Sequence, residues 1–134
     1  MANFVKKDKI KYSDLDQTFF MHPVTRDVNV KYNREAVIQA VKNLVMLKKY
    51  EAPFHPEVHS GVSGLLFENA NILTAQAIRE NIRTCLQNYE PRIRLHDVRV
   101  YDRIDNNEYE VDIKFEVINI PETITLSLAL QRVR

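Results

Sequence analysis

Pro91 divides this chain between two hydrophobic periods. Before it, Ala75, Ile78, Ile82, Cys85, Leu86 and Tyr89 fall on one helical stripe, whereas the apolar residues that follow alternate with polar ones. Proline lacks an N–H and pushes the residue before it out of the α region, so a helix has to stop here and strands begin. The flanking residues are Glu90 and Arg92. Residues two apart in extended backbone project to the same side, which presents this carboxylate and guanidinium together. A carboxylate at a helix C-terminus also meets the negative end of the helix dipole, a penalty of roughly 0.3–1 kcal/mol that a nearby cation offsets. Two roles stay open for Glu90, Pro91 and Arg92: a helix stop with a local charge pair, or a pair aimed at a partner, whose loss would spare the fold.

Downstream, Val98 and Val100 alternate with Arg99 and Tyr101, and Asp105-Asn106-Asn107 reads as a hairpin turn tolerant of positive φ. Tyr109, Val111, Ile113, Phe115 and Val117 then share one face of a half-buried strand. Pro121-Glu122 ends it, and Ile124, Leu126, Leu128 and Leu130 alternate with Thr123, Thr125, Ser127 and Ala129 in a last strand. The spacing predicts a three-stranded antiparallel meander. Upstream, Asn33 is placed to cap a helix from about Arg34 to Lys49 that carries Val37, Val41, Leu44 and Val45, with Lys48 and Lys49 in its last turn. Thr74 is placed to cap the second helix, and Val24 to Tyr32 holds a short strand around Val28 and Val30. Two helices covering one face of the sheet make an α+β two-layer domain over residues 23–134. Residues 1–22, polar apart from Phe19-Phe20-Met21, read as an amino-terminal arm.

The length of 134 residues suffices for one core without staples. Nineteen basic and eighteen acidic residues give a net charge of +1, which gives no argument for a general nucleic-acid-binding surface and makes any charged recognition local. The single Cys85 forms no intramolecular disulfide and reads as a small buried hydrophobe. Lys6, Lys7, Lys9 and Lys11 precede no apolar signal core, and no stretch approaches the ~20 residues of a membrane span, so a product that is cytosolic when made is expected.

The segment between the helices holds both glycines: Pro53-Phe54-His55-Pro56-Glu57, then Ser60-Gly61-Val62-Ser63-Gly64-Leu65-Leu66-Phe67-Glu68-Asn69. With the helix and Tyr89-Glu90-Pro91-Arg92 that follow, it resembles the GPW-like, so-called lysozyme-like, baseplate wedge proteins of contractile phage tails, which have relatives in type VI secretion baseplates. The likeness covers about residues 33–131 in order, and residues 1–32 match loosely. This chain has Val58-His59 where the family usually has Phe-Gly after Pro-Glu, leaving Gly61 as the permissive backbone position.

The resemblance implies a structural protein of the virion's tail baseplate, in several copies around the hub. It would join the baseplate core to the first sheath layer and initiate sheath assembly. Its partners would be other wedge subunits, the sheath protein and tail tube or hub proteins, with no nucleic acid, membrane, metal or cofactor. Glu90, Pro91 and Arg92 would contact the helical core bundle of neighbouring wedge subunits. The last strand, Ile124, Thr125, Leu126, Ser127, Leu128, Ala129, Leu130 and Gln131, would share its edge with sheath segments. Unpaired N–H and C=O groups on an edge strand suit that role, unless the amino-terminal arm covers them.

The alternative of a different class is a tail-associated peptidoglycan-cleaving enzyme, which needs two carboxylates flanking a glycosidic bond. Glu57 and Glu68 are the candidates, but no spacing fixes them as a pair. His55, Glu57 and His59 are potential metal ligands, yet Pro56 opposes the helix that would aim both rings one way. Cys85, His96 and Asp97 lack a nucleophile turn, and two glycines build no phosphate loop. A third reading is an adaptor of a secretion system.

Overall fold

The computed structural model describes residues 11–132. Strand β1 (Ser13–Leu15) pairs antiparallel with β2 (Val30–Tyr32), which runs straight into helix α1 (Asn33–Met46). A one-turn helix α2 (Val62–Leu65) and the long α3 (Ile72–Tyr89) follow. Strands β3 (Ile93–Arg103), β4 (Glu108–Val117) and β5 (Thr123–Gln131) form the expected antiparallel meander, in the order β3-β4-β5.

The core lies where the sheet's inner face meets the helices. Tyr109, Val111, Ile113, Phe115 and Val117 of β4 are completely buried, as the alternation predicts. They pack with Ile124, Leu128 and Leu130 of β5, Ile78, Ile82 and Leu86 of α3, and Val37, Val41 and Val45 of α1. Burying each such side chain stabilises the fold by roughly 1.5–3 kcal/mol before conformational entropy is subtracted. Cys85 is buried on the same stripe with its thiol pushed up to about 11, so it stays a protonated hydrophobe.

Strand β3 departs from simple alternation. Its register steps from Leu95 opposite Phe115 to Asp97 opposite Lys114, leaving His96 as a bulge. The inward residues are therefore Ile93 and Leu95 before the bulge and Val98 and Val100 after it. Period-two reading from Val98 alone misses the first half of the strand.

The local signals shift at three helix ends. Asn33 is the first residue of α1, not its cap; its φ is 49° and its Oδ1 accepts the N–H groups of Lys11 and Tyr12. Helix α1 stops at Met46, before Lys48 and Lys49, and Lys48 N–H instead meets the Glu51 carboxylate at 2.8 Å. Asn71 caps α3 by accepting the Thr74 N–H at 2.7 Å, while the Thr74 hydroxyl donates to the Asn69 carbonyl. Asn71 lies three residues before Thr74 and is the stronger capping type, a signal present in the sequence.

The expected strand over Val24 to Tyr32 is confined to Val30–Tyr32, with an isolated bridge between Met21 and Val28. In the region read as an arm, residues 1–10 lie outside the described residues; the remainder is tied down. Tyr12 packs against the core, and buried Asp16 accepts the Thr18 N–H and hydroxyl. Phe19, Phe20 and Met21 are exposed.

Candidate partner-contact sites

Helix α3 ends at Tyr89 and is capped by Glu90, whose N–H still reaches the Leu86 carbonyl at 3.1 Å, and Pro91 prevents a further turn. Glu90 and Arg92 do lie on the same side. Arg92 grips the carboxylate with two donors, Nε to Oε1 at 2.7 Å and Nη2 to Oε2 at 3.0 Å, and its own N–H adds a contact at 3.3 Å. Glu90 is 4 % exposed, so the carboxylate offset by this cation is almost out of solvent. The remaining Arg92 donor, Nη1, reaches Asp14 of β1 at 3.2 Å, and the guanidinium sits 5.8 Å from the centre of the Tyr12 ring. These carboxylates, the Glu90 bonds first, hold the Arg92 pKa above its already high ordinary value.

The motif is thus a corner joining three elements: the end of α3, the start of β3 and β1. Sequence spacing located Glu90 and Arg92 but not Asp14, because a contact across 78 positions leaves no local signal. What the corner presents outward is Pro91, together with the partly exposed sides of Arg92 and Asp14.

The second candidate is the edge of β5. Among the described residues, β4 is its only strand neighbour. The described part of the amino-terminal segment pairs with β2 and touches the β4–β5 turn, where the Tyr12 hydroxyl donates to the Ile118 carbonyl at 3.0 Å; the side chain of Lys11 donates to the Asn119 carbonyl. Ile124, Leu126, Leu128 and Leu130 turn inward and Thr123, Thr125, Ser127, Ala129 and Gln131 face solvent. A cavity of about 420 Å³ separates Ala129–Gln131 from Val45 and Met46 of α1 and from Val62 and Leu66.

The catalytic candidates do not assemble. Glu57 accepts from His55 at 3.2 Å on an exposed turn, and its own backbone N–H first, then His55, hold its carboxyl below the ordinary range. A glycosidase acid needs the opposite shift. Glu68 is exposed, and the Cys85 thiol donates to the Leu44 carbonyl at 3.9 Å. His96 faces Glu116 at 3.4 Å, whereas Asp97 binds Arg99 and Arg79. No group of three His, Cys, Asp or Glu side chains suited to a metal occurs among the described residues, and none of their helices is long and apolar enough to cross a membrane. Gly61 does take the left-handed backbone, with φ of 71°, and an added Cβ would stand 3.1 Å from Asn81.

Two helices on a three-stranded antiparallel meander, with a Glu-Pro-Arg corner where α3 meets β3, define a small α+β domain. The family described as Baseplate wedge protein gp25 matches residues 31–122. Baseplate wedge protein gp25 of Enterobacteria phage T4 is 35 % identical over 128 residues, covering 92 % of this chain and 90 % of that protein. The chain belongs to the gp25 family of baseplate wedge proteins. It is a structural component of a contractile-tail baseplate.

Two solved structures share the fold. The baseplate of the anti-feeding prophage contains a chain with a TM-score of 0.71 at 22 % identity, covering 83 % of this chain and 89 % of that one. A provisionally named tail lysozyme from Geobacter sulfurreducens gives 0.69 at 20 % identity, covering 75 % and 91 %. At that identity the likeness is one of fold, and fold does not carry catalysis.

Proposed function

We propose that this subunit links the baseplate core to the first sheath layer and starts sheath assembly by strand sharing. The observation that carries the proposal is β5: nine regular residues, apolar inside, small and polar outside, with one strand neighbour among the described residues. An incoming sheath segment would complete its main-chain hydrogen bonds with little demand on side chains. The Glu90-Pro91-Arg92 corner supplies the second contact, to the helical core bundle of neighbouring wedge subunits. Because Glu90 is committed to Arg92, its part there is to hold Pro91 and the outer side of Arg92 in place. Other wedge subunits, sheath and tail tube or hub proteins are the partners under this reading. It assigns no catalytic step, consistent with an ionised, exposed Glu57.

Single prolines test the strand. Adjacent N–H groups on β5 point to opposite sides, one into the ladder with β4 and one outward. Proline placed singly at Ala129 and Leu130 is expected to destabilise the domain in one case, and in the other to leave a folded subunit whose baseplates start no sheath. Leu130→Ala controls for lost burial. Sheathed tails of normal length with both variants would rule out this edge. Cell-wall cleavage by the purified wild type, lost in Glu57→Gln or Glu68→Gln, would replace the structural reading with the enzymatic one.

A further inference from the structure

A cluster of polar atoms is enclosed where β3, β4 and the end of β5 meet. The alternation that turns Val98 and Val100 inward puts Asp102 on the same face, an acidic residue on the core side of the sheet. Directly opposite it in the ladder stands Tyr109, which is completely buried. Arg132 closes the third side. Its guanidinium lies 5.9 Å from the centre of the Tyr109 ring, its N–H donates to the Asn107 carbonyl at 3.0 Å, and its own carbonyl accepts from the Asn107 side-chain amide at 3.4 Å.

Four atoms of this cluster take no hydrogen-bond partner among the described residues: Asp102 Oδ1, Asn107 Oδ1, the Tyr109 hydroxyl and Arg132 Nε. A buried polar atom left unpaired costs a full hydrogen bond, so four in one place call for a common partner. Polar groups that face one another without touching have the spacing that a bridging molecule produces. The chemistry of the four identifies it. The Asp102 and Asn107 oxygens only accept and Arg132 Nε only donates. The Tyr109 hydroxyl stays protonated and able to donate, because burial first and then the Asp102 charge push its pKa up, with Arg132 opposing. An anion would be repelled by Asp102 and a cation by Arg132. A neutral molecule that donates twice and accepts twice satisfies all four, and their enclosure admits only the smallest such molecule.

We infer that an internal water molecule binds here, donating to Asp102 Oδ1 and Asn107 Oδ1 and accepting from the Tyr109 hydroxyl and Arg132 Nε, and that it fastens the segment after β5 to the β3–β4 turn. The last strand is thereby held just beyond its final residue, Gln131, without use of its free edge. The site is independent of the sheath contact proposed for β5, so either can fail alone.

The test uses the full chain. A high-resolution crystal structure is expected to show one ordered water within hydrogen-bond distance, about 3.2 Å, of at least three of the four atoms. Tyr109→Phe keeps the ring and removes the hydroxyl. With the water in place this variant should melt about 3–5 °C below wild type, whereas loss of a hydroxyl that had no partner would leave melting unchanged or raise it. In an Asp102→Leu background, which removes the carboxylate acceptor, the same Tyr109→Phe change should lose most of its effect, because the shared water is what couples hydroxyl to carboxylate. Arg132→Met, beyond the last strand, provides the same comparison in a second background. The inference is overturned by absence of an ordered water at the cluster, by a direct Asp102–Arg132 ion pair in its place, by Tyr109→Phe melting at or above wild type, or by an undiminished effect of Tyr109→Phe in both backgrounds.

Discussion

The two edges of this sheet solve the same problem in opposite ways. Strand β3 is eleven residues long, bulged at His96 and flanked by Arg94, Arg99 and Arg103, all exposed. Bulges and outward charges are the usual means of keeping an edge from pairing indiscriminately. Strand β5 runs through nine pairs with β4 without a register shift and shows threonine, serine and alanine to solvent. A flat, nearly uncharged edge accepts any extended backbone of suitable length, whereas a charged, bulged one accepts only a segment that answers its charges. The difference is what makes β5, and not β3, the edge proposed above for strand sharing.

Both edges hang on β4. Phe115→Ala, at a site completely buried beneath both, should cost about 3–5 kcal/mol in urea denaturation and abolish sheath initiation. Sheath initiation at full strength would show that the β5 edge does not depend on the packing beneath β4. Next in size is Glu90→Ala. Its burial reverses the expectation that its loss would spare the fold: Arg92 would lose both of its side-chain bonds to the Glu90 carboxylate and keep only Asp14, at about 1.5–3 kcal/mol. Asp14→Ala, removing a more exposed partner, should stay within about 1 kcal/mol. Equal melting of both variants would mean that the corner is held by the backbone turn alone.

Ser127→Lys probes the contrast itself by adding charge to the flat edge. Ser127 is exposed opposite Asp112, so stability should change by no more than about ±0.5 kcal/mol while sheath initiation falls. Normal sheath initiation would show that β5 is not selected for neutrality. The smallest effect concerns pH. The Thr18 N–H and hydroxyl, with Lys31 and Asn29, hold the Asp16 carboxyl below its ordinary value of 3.8. A depressed folded pKa contributes stability that is present above 3.8 and is lost as pH falls through the folded value. Asp16→Asn should therefore flatten the acid limb of a stability-versus-pH curve and leave the neutral behaviour of both edges alike. An unchanged acid limb would remove Asp16 from the account.

Much of this architecture was legible in the sequence. The change of period at Pro91, the alternation in Tyr109–Val117 and in Ile124–Leu130, and the stripe through Ile78, Ile82 and Leu86 are local patterns that burial reads directly, so they fixed the meander, the inner faces and the helix that covers them. The positive φ at Asn107 was likewise announced by its turn cluster. Only the tertiary structure decided which partner each polar group takes. Asn33 gave up capping to bind Lys11 and Tyr12, Arg92 divided its donors between adjacent Glu90 and distant Asp14, and a one-residue bulge at His96 exchanged the faces of half a strand. Periodicity is a property of one segment, but hydrogen-bond partners and register depend on which segments the core brings together.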